Sequence, residues 1–181
     1  LKEIFCFEFF LVLSFMIVTF VMMMKHELWF DEVQAWSLAK HLNFIDLIKQ
    51  MKIEGHSAMW SLFLKIFIEF GFSFVILNFI SWFIGVLSSI VICYKTNFSK
   101  FVKVLIIFNI TLLSYSTVFA RPYCVAYFMM TLLMIFYRER YNKTLLVSCI
   151  LLILSNTHLV VMGFLLALFL IEFYNFFKEK Q

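Results

Sequence analysis

The sequence predicts an all-α membrane protein: a polytopic helix bundle whose first outer loop carries short amphipathic helices at the bilayer surface. Three observations predict it. Of 181 residues, 64% are hydrophobic and 14% charged, with a mean hydropathy of +0.98, where a soluble domain has about 45–50% and about 25%. The apolar residues gather into runs, several of them long enough to cross a bilayer. One Pro and four Gly exclude collagen, a flexible linker and a disordered tail. At roughly 20 residues per crossing, the length holds at most about six spans in one transmembrane module.

The first run, 4–24, is long enough to span, with Lys2 before it, Lys25 at its end and Glu8 near its start. Val21-Met22-Met23-Met24-Lys25 offers no small-residue cleavage site, so the run is read as a retained helix and not a signal peptide. Residues 25–57 form the one extended polar stretch and hold three of the four His and five of the eleven acids. Within it, Val33, Trp36 and the Leu38/Ala39 pair mark one short helix. Asn43 can cap a second, in which Phe44, Leu47, Ile48 and Met51 fall at i, i+3, i+4, i+7. Short helices of this kind, with Trp and Lys, suit a membrane interface.

The run 58–70 is short for a crossing, with Lys65 and Glu69 at i, i+4; 72–94 spans. Lys95, Lys100 and Lys103 make a basic loop. A span over 104–120 is expected to break at Arg121-Pro122-Tyr123 and resume over 123–137. Arg138, Arg140 and Lys143 make a second basic loop, and 145–173 closes the chain. Basic loops face the cytoplasm, which places Arg121 at an outer turn; with the N-terminus also inside, the 25–57 loop shares that side, and this requires an odd number of crossings between Ser57 and Lys95. The net charge of +4 reports this orientation, and nucleic acid is not an expected partner. Four scattered cysteines without a CxxC read as small core residues.

Few residues carry chemistry. Asp31 and Glu32 are adjacent carboxylates just past the first helix. They can hold a divalent cation (Mg²⁺ or Mn²⁺) or divide into a general base and a metal ligand; equally, they are acids favoured at a helix start. His56, after Glu54-Gly55, can meet a phosphate or a metal, or lie at the interface beside a flexible Gly. Arg121 interrupts some 34 otherwise uncharged residues, and its planar fork suits a phosphate; the alternative is an Arg snorkelling from a Pro-marked turn. Ser155-Asn156-Thr157-His158 puts four polar side chains inside an apolar run. Asn156 and His158 there face a site or satisfy one another between helices.

The order of these blocks is more specific than any one of them. Asp31-Glu32-Val33-Gln34-Ala35-Trp36, then Glu54-Gly55-His56-Ser57-Ala58-Met59-Trp60, then Ala120-Arg121-Pro122-Tyr123-Cys124 resembles the N-terminal portion of the GT-C membrane glycosyltransferases. The likeness is to the bacterial dolichyl-phosphate-mannose or mannosyltransferase-like group and covers residues 1–137. The resemblance implies transfer of a sugar from a polyprenyl-phosphate donor to an acceptor at the outer face of a bacterial plasma membrane. By that resemblance Asp31 and Glu32 are catalytic and metal-site carboxylates, and His56, Arg121 and Tyr123 approach the donor phosphate. Ser57 departs from the family's Pro. Family members are longer, so the chain is expected to be incomplete, or completed by a partner subunit or a missing C-terminal half. The rival reading is a non-catalytic or degenerate membrane module, a lipid-binding or assembly subunit. Asp31, His56 and Arg121 converging on one outward cavity is the geometry that separates the two. No paired Gly/Pro-broken helices suggest a transporter's inverted repeats.

Overall fold

The computed structural model describes residues 2–54 and 57–178, with side chains from residue 6 onward. Among these residues every regular element is helical and no strand forms. The elements are α1 (Lys2–Lys25), α2 (Phe30–His41), α3 (Phe44–Glu54), α4 (Met59–Glu69), α5 (Ile76–Lys95), α6 (Lys100–Ile107), α7 (Tyr123–Phe136), α8 (Thr144–Ser155) and α9 (Leu159–Lys178). A π-helical turn occupies Thr111–Tyr115 and a 3₁₀ turn Tyr137–Glu139. Three segments are long and apolar enough to cross a membrane: Cys6–Lys25, Ile76–Lys95 and Leu159–Lys178.

Helix α5 is the axis of the bundle, packed between α1 and α7. Phe15, Val86, Ile92 and Leu112 bury one cluster around the α1–α5 seam. Trp82 Nε1 donates across that seam to Thr19 Oγ1 at 3.1 Å. Gly85 is required here because a Cβ would sit 2.2 Å from Thr117 Oγ1. The segment after the π turn therefore lies directly on α5.

Helices α2, α3 and α4 build a cap at the end of the bundle where α1 finishes. Trp36 and Ala39 of α2, Leu47 of α3, and Trp60 and Leu64 of α4 share a core with Leu77 and Ile80 at the start of α5. Lys65 Nζ, buried, donates to the Ala39 carbonyl at 3.2 Å and pairs with Glu69 at 3.1 Å. A cation thus satisfies an orphan carbonyl in the last turn of α2. Helix α4 ends in a Schellman turn: Gly71 N donates to Ile68 O and Phe72 N to Phe67 O, with Gly71 at φ +82°. At 11 residues α4 is about 16 Å long, half of a hydrocarbon core of about 30 Å.

Two expected spans are interrupted. The 104–120 run is not one helix, because Asn109 breaks it. Its Nδ2 donates to Ile106 O at 2.7 Å and its Oδ1 accepts from Leu112 N at 3.0 Å, so a side chain replaces the helical ladder. The 145–173 run divides into α8 and α9 at residues 156–158. There Ser155 Oγ and Asn156 Nδ2 donate to Leu152 O, and Thr157 Oγ1 to Leu154 O, at 2.7–2.9 Å. Polar side chains take the final carbonyls of α8, and Val160 N donates to His158 Nδ1 at 3.2 Å to open α9.

Candidate functional site

Two of the polar residues expected to share a side, Asp31 and Arg121, lie against each other. Residues 26–29 turn the chain from α1 into α2, and the turn is held by Glu32 at the third position of α2. Glu32 Oε2 accepts from Trp29 N at 2.7 Å and lies 2.9 Å from His26 Nε2. Its Oε1 accepts from Ala120 N at 2.6 Å, across 88 positions of sequence. Glu32 is fully buried. A buried carboxylate is tolerable only with such partners; two of the bonds close the first loop on itself, and the bond from Ala120 N joins that loop to the segment before α7.

Glu32 is therefore not the second exposed carboxylate that the Asp31–Glu32 pairing suggested. Both its oxygens are committed to His26 and to backbone N–H groups, because a residue one step along a helix points about 100° away. In this arrangement Glu32 holds the turn from α1 into α2 and the segment before α7. Nor do three or more His, Cys, Asp or Glu side chains gather as a cation site among the described residues.

Asp31 faces the other way. Its Oδ2 lies 2.5 Å from Arg121 Nη1, with the Asp31 side chain 55% exposed and that of Arg121 18% exposed. The two residues are held in register by the Glu32–Ala120 bond one position earlier on one strand of the chain and one later on the other. Pro122, at φ −59°, caps α7 and carries Arg121 at its mouth. Tyr123 follows: the Arg121 guanidinium lies 6.0 Å from its ring, and its hydroxyl is 3.4 Å from His158 Nε2. The break between α8 and α9 thus brings His158 to the α7 start.

These groups share a cavity of about 610 Å³. Asp31, Gln34, Arg121, Ser155 and His158 supply polar wall; Leu38, Met51, Trp60 and Met162 supply apolar wall. Glu54, also on the wall, accepts from Gln34 Nε2 at 3.3 Å and Gln50 Nε2 at 3.1 Å, which ties α2 to α3. Trp60 is 4% exposed and its Nε1 has no partner among the described residues, leaving a buried donor on the wall.

Of the expected site residues, Asp31, Arg121 and His158 line this cavity and Tyr123 bridges two of them. Asn156 does not line it; it is exposed and turned back on its own helix. His56 lies outside the described residues. His26, Gln34 and Trp60 were missed as individual residues. A signal for His26 existed in Glu32 standing three residues into a helix, the second half of a capping box, but Trp29 occupies the position where Ser or Thr would announce it. Comparison with protein-family models, with curated protein sequences and with solved structures gives no match to this chain.

Proposed function

We propose that this chain carries the donor-site portion of a GT-C-type membrane glycosyltransferase, moving a sugar from a polyprenyl-phosphate donor to an acceptor hydroxyl at the outer membrane face. The observation that carries the reading is the Asp31–Arg121 ion pair on the wall of the 610 Å³ cavity, at the end of the bundle opposite the basic loops. A phosphate that takes over the Arg121 fork releases the Asp31 carboxylate, and that exchange couples donor binding to the availability of a base.

In the reaction the acceptor oxygen bonds to the anomeric carbon and the carbon–oxygen bond to phosphate breaks. The bonding pair stays on the departing polyprenyl phosphate, where Arg121 offsets the charge. The hydroxyl proton passes to Asp31. Trp60 Nε1 and Gln34 supply donors to the sugar. No step requires a metal ion held by the described residues.

The test is transfer of labelled sugar from a polyprenyl-phosphate donor in membranes that carry this chain with any partner it needs. Asp31→Asn is expected to lower transfer by about 10²–10⁴-fold, the usual worth of a positioned general base. Undiminished transfer by that variant overturns the proposal. A second reading, a non-catalytic module that only holds lipid phosphate, draws on the same ion pair. It expects Arg121-dependent donor binding with no transfer by any variant or by the unaltered chain.

A further inference from the structure

At the opposite end of the bundle lies a second cavity, of about 510 Å³, with an almost wholly apolar lining. One wall is a single face of α7: Tyr127, Met130, Met134 and then Tyr137 just beyond it, at i, i+3, i+7, i+10. Ten residues of helix rise about 15 Å, the depth of one leaflet in a hydrocarbon core of about 30 Å. Phe164 and Leu168 of α9 close the far side.

The lining residues at one end of the groove are next to basic residues in the sequence. Two of its lining residues belong to the basic loops themselves: Phe98 between α5 and α6, and Tyr137 in the turn after α7. Lys95 and Lys100 lie three residues before and two after Phe98, Arg138 follows Tyr137, and all three are exposed. None of the three is in an ion pair among the described residues, unlike Lys103, Arg140 and Lys143, which are held by Glu8, Glu172 and Glu139. Arg140 lies over the Tyr137 ring at 4.4 Å, and its Nε is buried without a partner. A leaflet-deep apolar slot, with exposed Lys95 and Lys100 either side of its lining residue Phe98 in the sequence and Arg138 next to its lining residue Tyr137, has the chemistry of an amphiphile with an acyl chain and an anionic head; Lys100 Nζ also lies 5.2 Å from the Phe7 ring.

We propose that this groove binds an anionic glycerophospholipid of the adjacent leaflet, one acyl chain lying along α7 and the phosphate head held by Lys95, Lys100 and Arg138. The inference is independent of the proposed transfer reaction, since it uses no residue of the 610 Å³ cavity. Basic pockets between membrane helices on the cytoplasmic side take such heads, each cation being worth about fivefold in affinity.

The experiment places the full chain in phosphatidylcholine bilayers with a trace of acyl-spin-labelled phosphatidylglycerol or phosphatidylcholine, and reads the motionally restricted fraction. Phosphatidylglycerol is expected to be preferred. Lys100→Gln and Arg138→Gln each reduce the preference about fivefold, and Met130→Trp with Met134→Trp removes the restricted component. Equal restriction of the two lipids overturns the proposal. So does a preference that survives the Trp pair, which means adsorption to the basic surface alone. Loss of the restricted signal as protein is concentrated, with dimers forming, assigns the groove to a second copy and also overturns it. If the Trp pair lowers the helical circular dichroism, the two charge variants decide the matter.

Discussion

Two glutamates are buried at opposite ends of this molecule, and they are stabilised by different means. Glu32, at the cap end, is fully enclosed and spends both oxygens on Trp29 N, Ala120 N and His26. Glu8, at the basic end, is 2% exposed and takes Lys103 Nζ at 2.6 Å, while its other oxygen has no partner among the described residues. Each joins the N-terminal helix region to a segment some 90 residues away. The difference is that Glu32 fixes backbone and so sets the position of its neighbours Asp31 and Arg121. Glu8 fixes only another side chain. A carboxylate that accepts from backbone N–H groups cannot be replaced by repacking; an ion pair between two side chains can.

The largest expected effect follows from removing the first of these. Glu32→Ala leaves the buried Ala120 N–H, the Trp29 N–H and the half-buried His26 without their acceptor, and it is expected to cost about 3–5 kcal/mol. Unfolding in mixed micelles with increasing dodecyl sulfate, followed by Trp fluorescence, measures it. Glu32→Gln keeps an acceptor for Ala120 N and is expected to fall between the two. Equal stability of Glu32→Ala and the unaltered chain would remove the contrast with Glu8 altogether.

The second region is tested by a double substitution. Lys103→Met strands Glu8 in the bundle and is expected to cost about 3–5 kcal/mol, whereas Glu8→Leu combined with Lys103→Met is expected to return to within about 1 kcal/mol of the starting stability. The same unfolding measurement reads both. A double variant as unstable as the single one would show that the pair does more than satisfy itself, the Lys103 bond to the Cys93 carbonyl at 2.8 Å being the other interaction lost.

A smaller effect sharpens how the Glu32 region is positioned. Gly85→Ala places a methyl 2.2 Å from Thr117 Oγ1, and overpacking of this kind costs about 1–3 kcal/mol. Because Thr117 stands three residues before Ala120, the strain is delivered to the Glu32–Ala120 bond. Hydrogen exchange at Ala120 is expected to accelerate more than exchange along α8. Gly85→Ala with Thr117→Ala recovers part of the loss, since Thr117 Cβ remains at 2.8 Å.

Much of this arrangement was legible in the residues and some was not, for reasons that can be named. The runs that became α1 and α5 announced themselves because twenty apolar residues have few other fates. The placement of Asp31 and Arg121 on one side followed from loop charge, and they pair. The 104–120 and 145–173 runs were read as continuous because hydropathy does not register what Asn109, or Ser155 to Thr157, do to a helix ladder with their side chains. Composition likewise cannot decide which of two adjacent acids turns inward. The Ala120 N–H, 88 positions away, together with Trp29 N and His26, holds Glu32 as the buried one.

The smallest expected effects lie in α3, where one residue makes both kinds of interaction in the open. Asp46 N donates to Asn43 Oδ1 at 2.9 Å, and Asp46 Oδ1 pairs with Lys49 at 3.3 Å, the Lys49 and Asp46 side chains being 71% and 49% exposed. Asn43→Ala removes a cap and is expected to cost about 1 kcal/mol. Lys49→Ala removes an exposed ion pair and is expected to cost no more than about 0.5 kcal/mol, falling further in high salt. The ordering repeats at the surface what the two buried glutamates show inside: a bond to a backbone N–H secures chain geometry, and a bond between two side chains is dispensable when both partners have water. If Lys49→Ala proves the more costly of the two, solvent is not screening that pair, and α3 is embedded in a less polar medium than the water beyond the headgroups.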